Sequence, residues 1–168
     1  ADQAALLRLS QAVLLAPGTQ EILDASVGVT AKVFGVDLCG VLLPDEEGQT
    51  LRLVAGVGWN PGVVGTMRVE TGLHSPAGYA LRLNAPVIVE ELATESRFSV
   101  PPILRDHGVV SSMVVPMLAG DTIIGVMGAH GRRPRRFTPE EVRLFTLIAN
   151  QTAVALERMR LLEETRRQ

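Results

Sequence analysis

The chain has 168 residues, 46% of them hydrophobic and only 4% aromatic, with a formal net charge of −2. That length supplies one ordinary core built from aliphatic side chains, and the near-neutral charge gives no general attraction to nucleic-acid backbones or anionic membranes. A single cysteine excludes an internal disulfide and a multi-cysteine metal site, and no apolar run approaches the ~20 residues that a membrane-spanning helix needs.

A first helix is expected over residues 4–15, stopped by Ala16-Pro17-Gly18, with Leu6, Leu9 and Val13 on a narrow stripe suited to crossing another helix. Thr19 is the expected cap of a second helix over 19–34, with Ile22, Ala25, Val29 and Val33 on one face. Gly35 follows where a left-handed C-cap belongs. Strand one covers 36–43, and its near-continuous apolar run marks a central strand covered on both faces. An acidic turn at 45–49 leads to strand two, 51–57. Residues 58–65 are rich in Gly and Pro and read as a loop. A third strand over 67–70, a short helix over 75–83 capped by Ser75, and a brief strand over 87–89 come next. Residues 90–107 are irregular and broken by Pro101 and Pro102 before a short turn of helix.

The C-terminal third is the most explicit. Two β-branched runs, 109–118 and 122–130, flank Ala119-Gly120-Asp121 and predict an antiparallel hairpin. After the loop 131–136, Thr138 serves as N-cap, Pro139 fits the first helical position, and Glu141 closes a capping box. The helix then runs over 139–167 without Gly or Pro, about 43 Å at ~1.5 Å per residue, longer than a small domain is wide. Phe145, Ile148, Thr152, Ala155, Met159 and Leu162 fall at alternating spacings of three and four, and Val142, Ala149, Ala153 and Leu156 form a neighbouring stripe. The N-terminal half is therefore expected to cover a sheet and the C-terminal half to meet a partner helix. The predicted dimer contacts are Leu6, Leu9 and Val13 with Ile148, Ala155, Met159 and Leu162, in a parallel bundle of first and last helices.

The order and spacing of the two opening helices, the strand 36–43, the segment 75–89, Arg97-Phe98, residues 107–117, 124–130 and 137–141 resemble the GAF domain, a small-molecule sensor module of signalling proteins. The resemblance covers essentially the whole chain, 1–168, as one domain. It implies an α/β (α+β) fold: a central, mainly antiparallel sheet with the N- and C-terminal helices on one face and a ligand-pocket cover on the other. It also implies a regulatory sensor of a bacterial-type signal-transduction protein, not an enzyme, relaying ligand state through the last helix to a covalently linked output domain. The alternatives are a structural dimerisation module without ligand and, less favoured, a GAF-type methionine sulfoxide reductase.

Catalytic motifs are lacking. The run GVGWNPG at 56–62 resembles a dinucleotide fingerprint, but its third Gly is one residue late and Pro61 sits where a helix should open, so it reads as a turn. His74, His107 and His130 show no metal-type spacing, and Cys39 lies in a buried strand where a thiol behaves as an inert hydrophobe. Neither a catalytic residue nor a metal site is expected. One cysteine cannot complete a disulfide-based reductase cycle. Ser99-Val100 stand where bilin-binding relatives carry Cys-His. Gly131-Arg132 and Val142 depart from the cyclic-nucleotide signature that Phe137 and Glu141 partly match, and His107 is displaced from the haem-ligand position. No cofactor is implied.

In the family the ligand lies under the cover, which corresponds to residues 59–112 here. Trp59, Tyr79, Arg97, Phe98, Ser111 and Ser112 are the polar or aromatic candidates for the pocket. Ser111 and Ser112 cannot both face inward from one strand. Arg97 beside Phe98 could fork onto an anionic ligand, or instead pair with Glu91 or Glu95. The Arg132, Arg133, Arg135 and Arg136 cluster, with no interleaved aromatics, reads as a solvated loop. The expected partners are thus an unidentified small molecule, a second copy and the linked output domain, with no nucleic acid or membrane contacted. A cytoplasmic location is expected, in a parent protein that could carry membrane segments elsewhere.

Overall fold

The computed structural model describes residues 2–167. α1 (Asp2–Leu15) and α2 (Thr19–Phe34) open the chain, followed by β1 (Leu38–Pro44), β2 (Thr50–Val57) and β3 (Arg68–Glu70). α3 (Pro76–Leu83), β4 (Val87–Val89), a 3-10 turn at Leu92–Thr94 and α4 (Pro102–Asp106) make up the middle. β5 (Ser111–Ala119), β6 (Thr122–Gly131) and α5 (Pro139–Arg167) complete it. The strands form one sheet in the order β3-β2-β1-β6-β5-β4, and every pairing is antiparallel. Among the described residues, no helix is long and apolar enough to cross a membrane.

The turns form as their residues dictate. Gly120 takes φ +63° between β5 and β6, and Gly35 takes φ +60° at the end of α2, where its N–H bonds Ala31 O at 3.0 Å. Ser75 Oγ accepts from Gly78 N at the start of α3, and Thr138 and Glu141 exchange capping bonds of 3.1 and 3.0 Å at the start of α5. Thr19 differs from expectation: it is the first helical residue, and Gly18, extended at φ −160°, holds the cap position without a side-chain bond. β1 starts later than predicted because Asp37 turns aside, its Oδ2 accepting from Arg132 N at 2.8 Å.

α1, α2 and α5 cover one face of the sheet, and α3, α4 and the connecting loops cover the other. Alternation along β5 sends Met113, Val115 and Met117 to the helices and Val114 to the cover, so a run of this strand is buried on both faces. Phe145 of α5 meets Phe34 of α2 edge-to-face at 5.7 Å, and Ile148, Ala149 and Ala153 fill the same layer.

That layer corrects the predicted dimer seam. Leu9, Ile148 and Ala155 are buried in the chain's own core, along with Phe145 and Thr152 of the same stripe. Leu6, Val13 and Met159 are half-buried against that core, and only Leu162 of the predicted set is well exposed, at 47%. The exposed apolar residues of α5 are instead Leu147, Val154 and Leu161, one heptad apart, with Leu162 beside them.

Candidate ligand cavity on the cover face

Three glycines set the floor. Gly56 of β2 and Gly128 of β6 both pair with Gly40 of β1, so a row of positions on the cover face carries no side chains. The gap is needed: a Cβ at Gly56 would stand 2.5 Å from Trp59 Nε1, and one at Gly40 would stand 2.5 Å from Leu53 Cδ1. Trp59 lies over this trough, and its Nε1 donates to the Cys39 carbonyl at 2.9 Å.

Two histidines meet the indole edge-to-face, His107 at 5.1 Å and His130 at 5.8 Å between centroids. His107 Nε2 accepts from Asn60 N at 3.0 Å, so the ring is a neutral tautomer whose Nδ1–H donates to Ile103 O at 2.8 Å. His130 Nδ1 lies 2.7 Å from Ser112 Oγ. Burial drives the His130 pKa down to about 4, so its imidazole is neutral at ordinary pH. Its Nε2 makes no hydrogen bond among the described residues and stands over Gly128, 2.8 Å from where a Cβ there would lie.

Between this floor and the cover is a cavity of about 40 Å³, room for a few waters. Leu42, Leu53, Val69 and Val114 wall it from the sheet side, and Pro76, Ile103 and Leu104 close it from α3 and α4. Trp59, Ser75 and His130 contribute its polar edges, and among the described residues no charged side chain lines it.

Of the six predicted pocket residues, Trp59 alone lines the cavity, and Ser112 acts through His130. Ser111 takes the opposite face of β5, where its Oγ is buried without a partner. Tyr79, Phe98 and Arg97 form a separate cluster: the two rings lie 5.8 Å apart, and the guanidinium stands 5.8 and 5.5 Å from their centroids. Arg97 is forked onto Glu95, with Nε at 2.6 Å from Oε1, and also donates to Ile88 O at 3.0 Å. The anionic-ligand anchor is thereby corrected to a partly exposed ion pair outside the cavity. The arginine loop also departs from expectation. Half-buried Arg135 donates to Phe34 O and Glu141 and covers the Phe137 ring at 4.8 Å, while Arg132 Nε donates to His107 O.

Sequence reasoning raised His130 only as one of three scattered histidines and missed the glycine row. The available signal was a Gly in each of three apolar strands, two of them central. Cys39 is inert as expected: its Sγ donates to Val27 O at 3.2 Å, and burial pushes its pKa up to about 11.

The architecture is an antiparallel sheet sandwiched between the terminal helices and a cover that encloses a small cavity. The GAF domain family model matches residues 18–156, and the chain belongs to the GAF domain family. It is 32% identical over 136 residues to the Nif-specific regulatory protein of Herbaspirillum seropedicae, covering 72% of this chain but 24% of that protein. The GAF domain of a phosphoenolpyruvate-protein phosphotransferase from Coxiella burnetii has the same fold, with TM-score 0.87, 18% identity and 97% and 96% of the two chains covered. Free methionine-R-sulfoxide reductase from Neisseria meningitidis, in complex with its substrate, superposes with TM-score 0.82 at 19% identity, covering 96% and 91%.

Proposed function

We propose that the chain is a regulatory small-molecule sensor module, a single domain over 1–168, that passes the state of its cavity through α5 to an output domain in a longer protein. The observation that carries this reading is a hydrogen-bonded route from the cavity cover to the start of α5. Ile103 and Leu104 wall the cavity from α4, and His107, just past that helix, accepts from Arg132. Arg132 opens the loop whose Arg135 clamps the end of α2 and the first turn of α5, through Phe34 O at 2.8 Å and Glu141 at 2.7 Å. A ligand that moves α4 therefore has a mechanical path to α5. The similarity to part of a nitrogen-fixation regulatory protein supports a role inside a multidomain regulator.

The same reading includes a homodimer through α1 and α5. Its support is the exposed heptad stripe Leu147, Val154 and Leu161, which borders a groove lined by Leu6, Val13 and Leu14. From Arg160 to Arg166 every side chain is exposed, so this stretch has no sheet beneath it. The same reading makes the module non-enzymatic and cytoplasmic; in support of the first, its single cysteine, Cys39, is buried.

The structural dimerisation reading is favoured by one observation, the small cavity volume. A melting-temperature screen of a metabolite library separates the two, with Val114→Phe as the filled-cavity control. The sensor reading expects at least one compound that stabilises the native chain and not the variant. A screen without such a compound, on a protein that still dimerises, favours the structural module.

A further inference from the structure

We infer that the cavity takes a neutral, mainly apolar molecule of no more than about one small ring, oriented by a single hydrogen bond to His130 Nε2. This rests on the sensor reading and narrows its ligand class.

The walls argue first. Leu42, Leu53, Val69, Val114 and Ile103 present only carbon, and no Lys, Arg, Asp or Glu side chain reaches the cavity. An ionised ligand would lose its hydration with no counter-charge to offset the loss. The nearby guanidinium groups are committed elsewhere, Arg97 to Glu95 and Arg132 to the His107 carbonyl. His130 supplies no charge either, because its burial keeps the ring neutral.

The polar atoms argue second. Trp59 Nε1 is spent on Cys39 O, and Ser75 Oγ already accepts from Gly78 N. That leaves the Ser75 O–H as a donor and His130 Nε2, in a side chain only 7% exposed, as the lining side-chain atom that makes no hydrogen bond among the described residues. Its Ser112 partner is a hydroxyl, which can donate to or accept from Nδ1. Nε2 can therefore carry a lone pair or a proton, suiting a ligand hydroxyl or carbonyl equally.

Size argues third. The closed cavity of about 40 Å³ is smaller than the ~150 Å³ known to hold benzene, so one small ring is the upper limit and enters only as the lid gives way: α4, a helix of 5 residues that follows Pro101.

Phenol, benzene and benzoate, titrated into the chain at low-millimolar concentration, test the inference by calorimetry and by ¹⁵N resonances of the histidine rings. Phenol is expected to bind about tenfold more tightly than benzene, the worth of one hydrogen bond, and to shift the His130 Nε2 resonance. Benzoate is expected not to bind. Val114→Phe should abolish phenol binding, and His130→Phe should erase the preference over benzene. The resonance shift needs no variant, so a misfolded His130→Phe leaves the test intact. Benzoate binding as tightly as phenol would overturn the neutral-ligand class while leaving the sensor reading in place. Equal phenol and benzene binding without a His130 shift would overturn the anchor. No binding by any probe would overturn the inference as a whole, and the library screen would then judge the sensor reading separately.

Discussion

The indole Nε1 of Trp59 donates to the carbonyl of Cys39 at 2.9 Å, tying the loop after β2 to the central strand and laying the ring across Gly56 and Gly40. The bond and the bare floor depend on each other: the ring reaches this carbonyl only because no Cβ intervenes. The cavity edge is thus set by backbone, not by a flexible side chain.

Gly56→Ala should displace the indole. The added methyl would meet Nε1 at 2.5 Å, Cδ1 at 2.6 Å and the Cys39 carbonyl oxygen at 2.9 Å. Overpacking of this kind costs about 1–3 kcal/mol. The chain has one Trp, so fluorescence reports the site directly. A red-shifted emission with a lower melting temperature is expected; an unchanged spectrum would mean that the ring does not rest on the glycine row.

His130 should make stability fall in acid. The unfolded imidazole takes up a proton near pH 6.5 and the folded one only near pH 4. The unfolded chain therefore holds more protons between these values. The contribution is fully present above about pH 6.5, is lost as pH falls towards 4, and amounts to on the order of 3 kcal/mol. Denaturant titrations of the native chain and His130→Asn from pH 7 to pH 4, at the ~1-unit spacing that resolves such a slope, isolate it from the carboxylates. Parallel curves for the two proteins would remove His130 as the source.

Much of the fold was legible because its local chemistry is explicit. The Thr138 and Glu141 capping box, the left-handed Gly35 and the Gly120 turn form as their residues dictate. The site was less legible because a bulge decides which residues meet. Ala119 pairs with Thr122 at the turn, a register that would place Ser111 opposite His130. The shift between Met117 and Leu118 moves the register by one, so Ser112 meets His130 instead. Composition carries no sign of that bulge. The α5 stripe failed for another reason: Ile148 and Ala155 have heptad spacing, but the sheet is a closer partner than a second helix.

That distinction predicts opposite phenotypes on one helix. Val154→Glu, at a position 45% exposed, should dissociate the proposed dimer in sedimentation while leaving the melting temperature nearly unchanged. Ile148→Ala, at a fully buried position, should cost about 2–5 kcal/mol of stability. A Val154→Glu protein that still sediments as a dimer would move the interface away from the Leu147, Val154 and Leu161 stripe.

Arg135 is expected to matter for the start of α5 more than its place in a surface loop suggests. Its guanidinium joins Phe34 O, at the end of α2, to Glu141, which also accepts from Thr138 N. Burial raises the Glu141 pKa, but the Thr138 backbone bond and Arg135 outweigh it and hold the carboxyl below its usual value. The resulting stability is present above the unfolded value of 4.5 and lost as pH falls through the lower folded one. Glu141→Gln keeps an acceptor for the capping bond and should cost under about 1 kcal/mol, since the pair is partly solvated. Arg135→Ala also strips the Phe34 carbonyl of this donor, so about 1–3 kcal/mol is expected, with faster amide exchange in the first turn of α5. If α5 carries cavity state outward, Arg135→Ala should also uncouple ligand binding from exchange in that turn, whereas Glu141→Gln should preserve the coupling. Equal exchange responses to ligand in both variants would exclude the Arg135 clamp as the link between the cover and the exit helix.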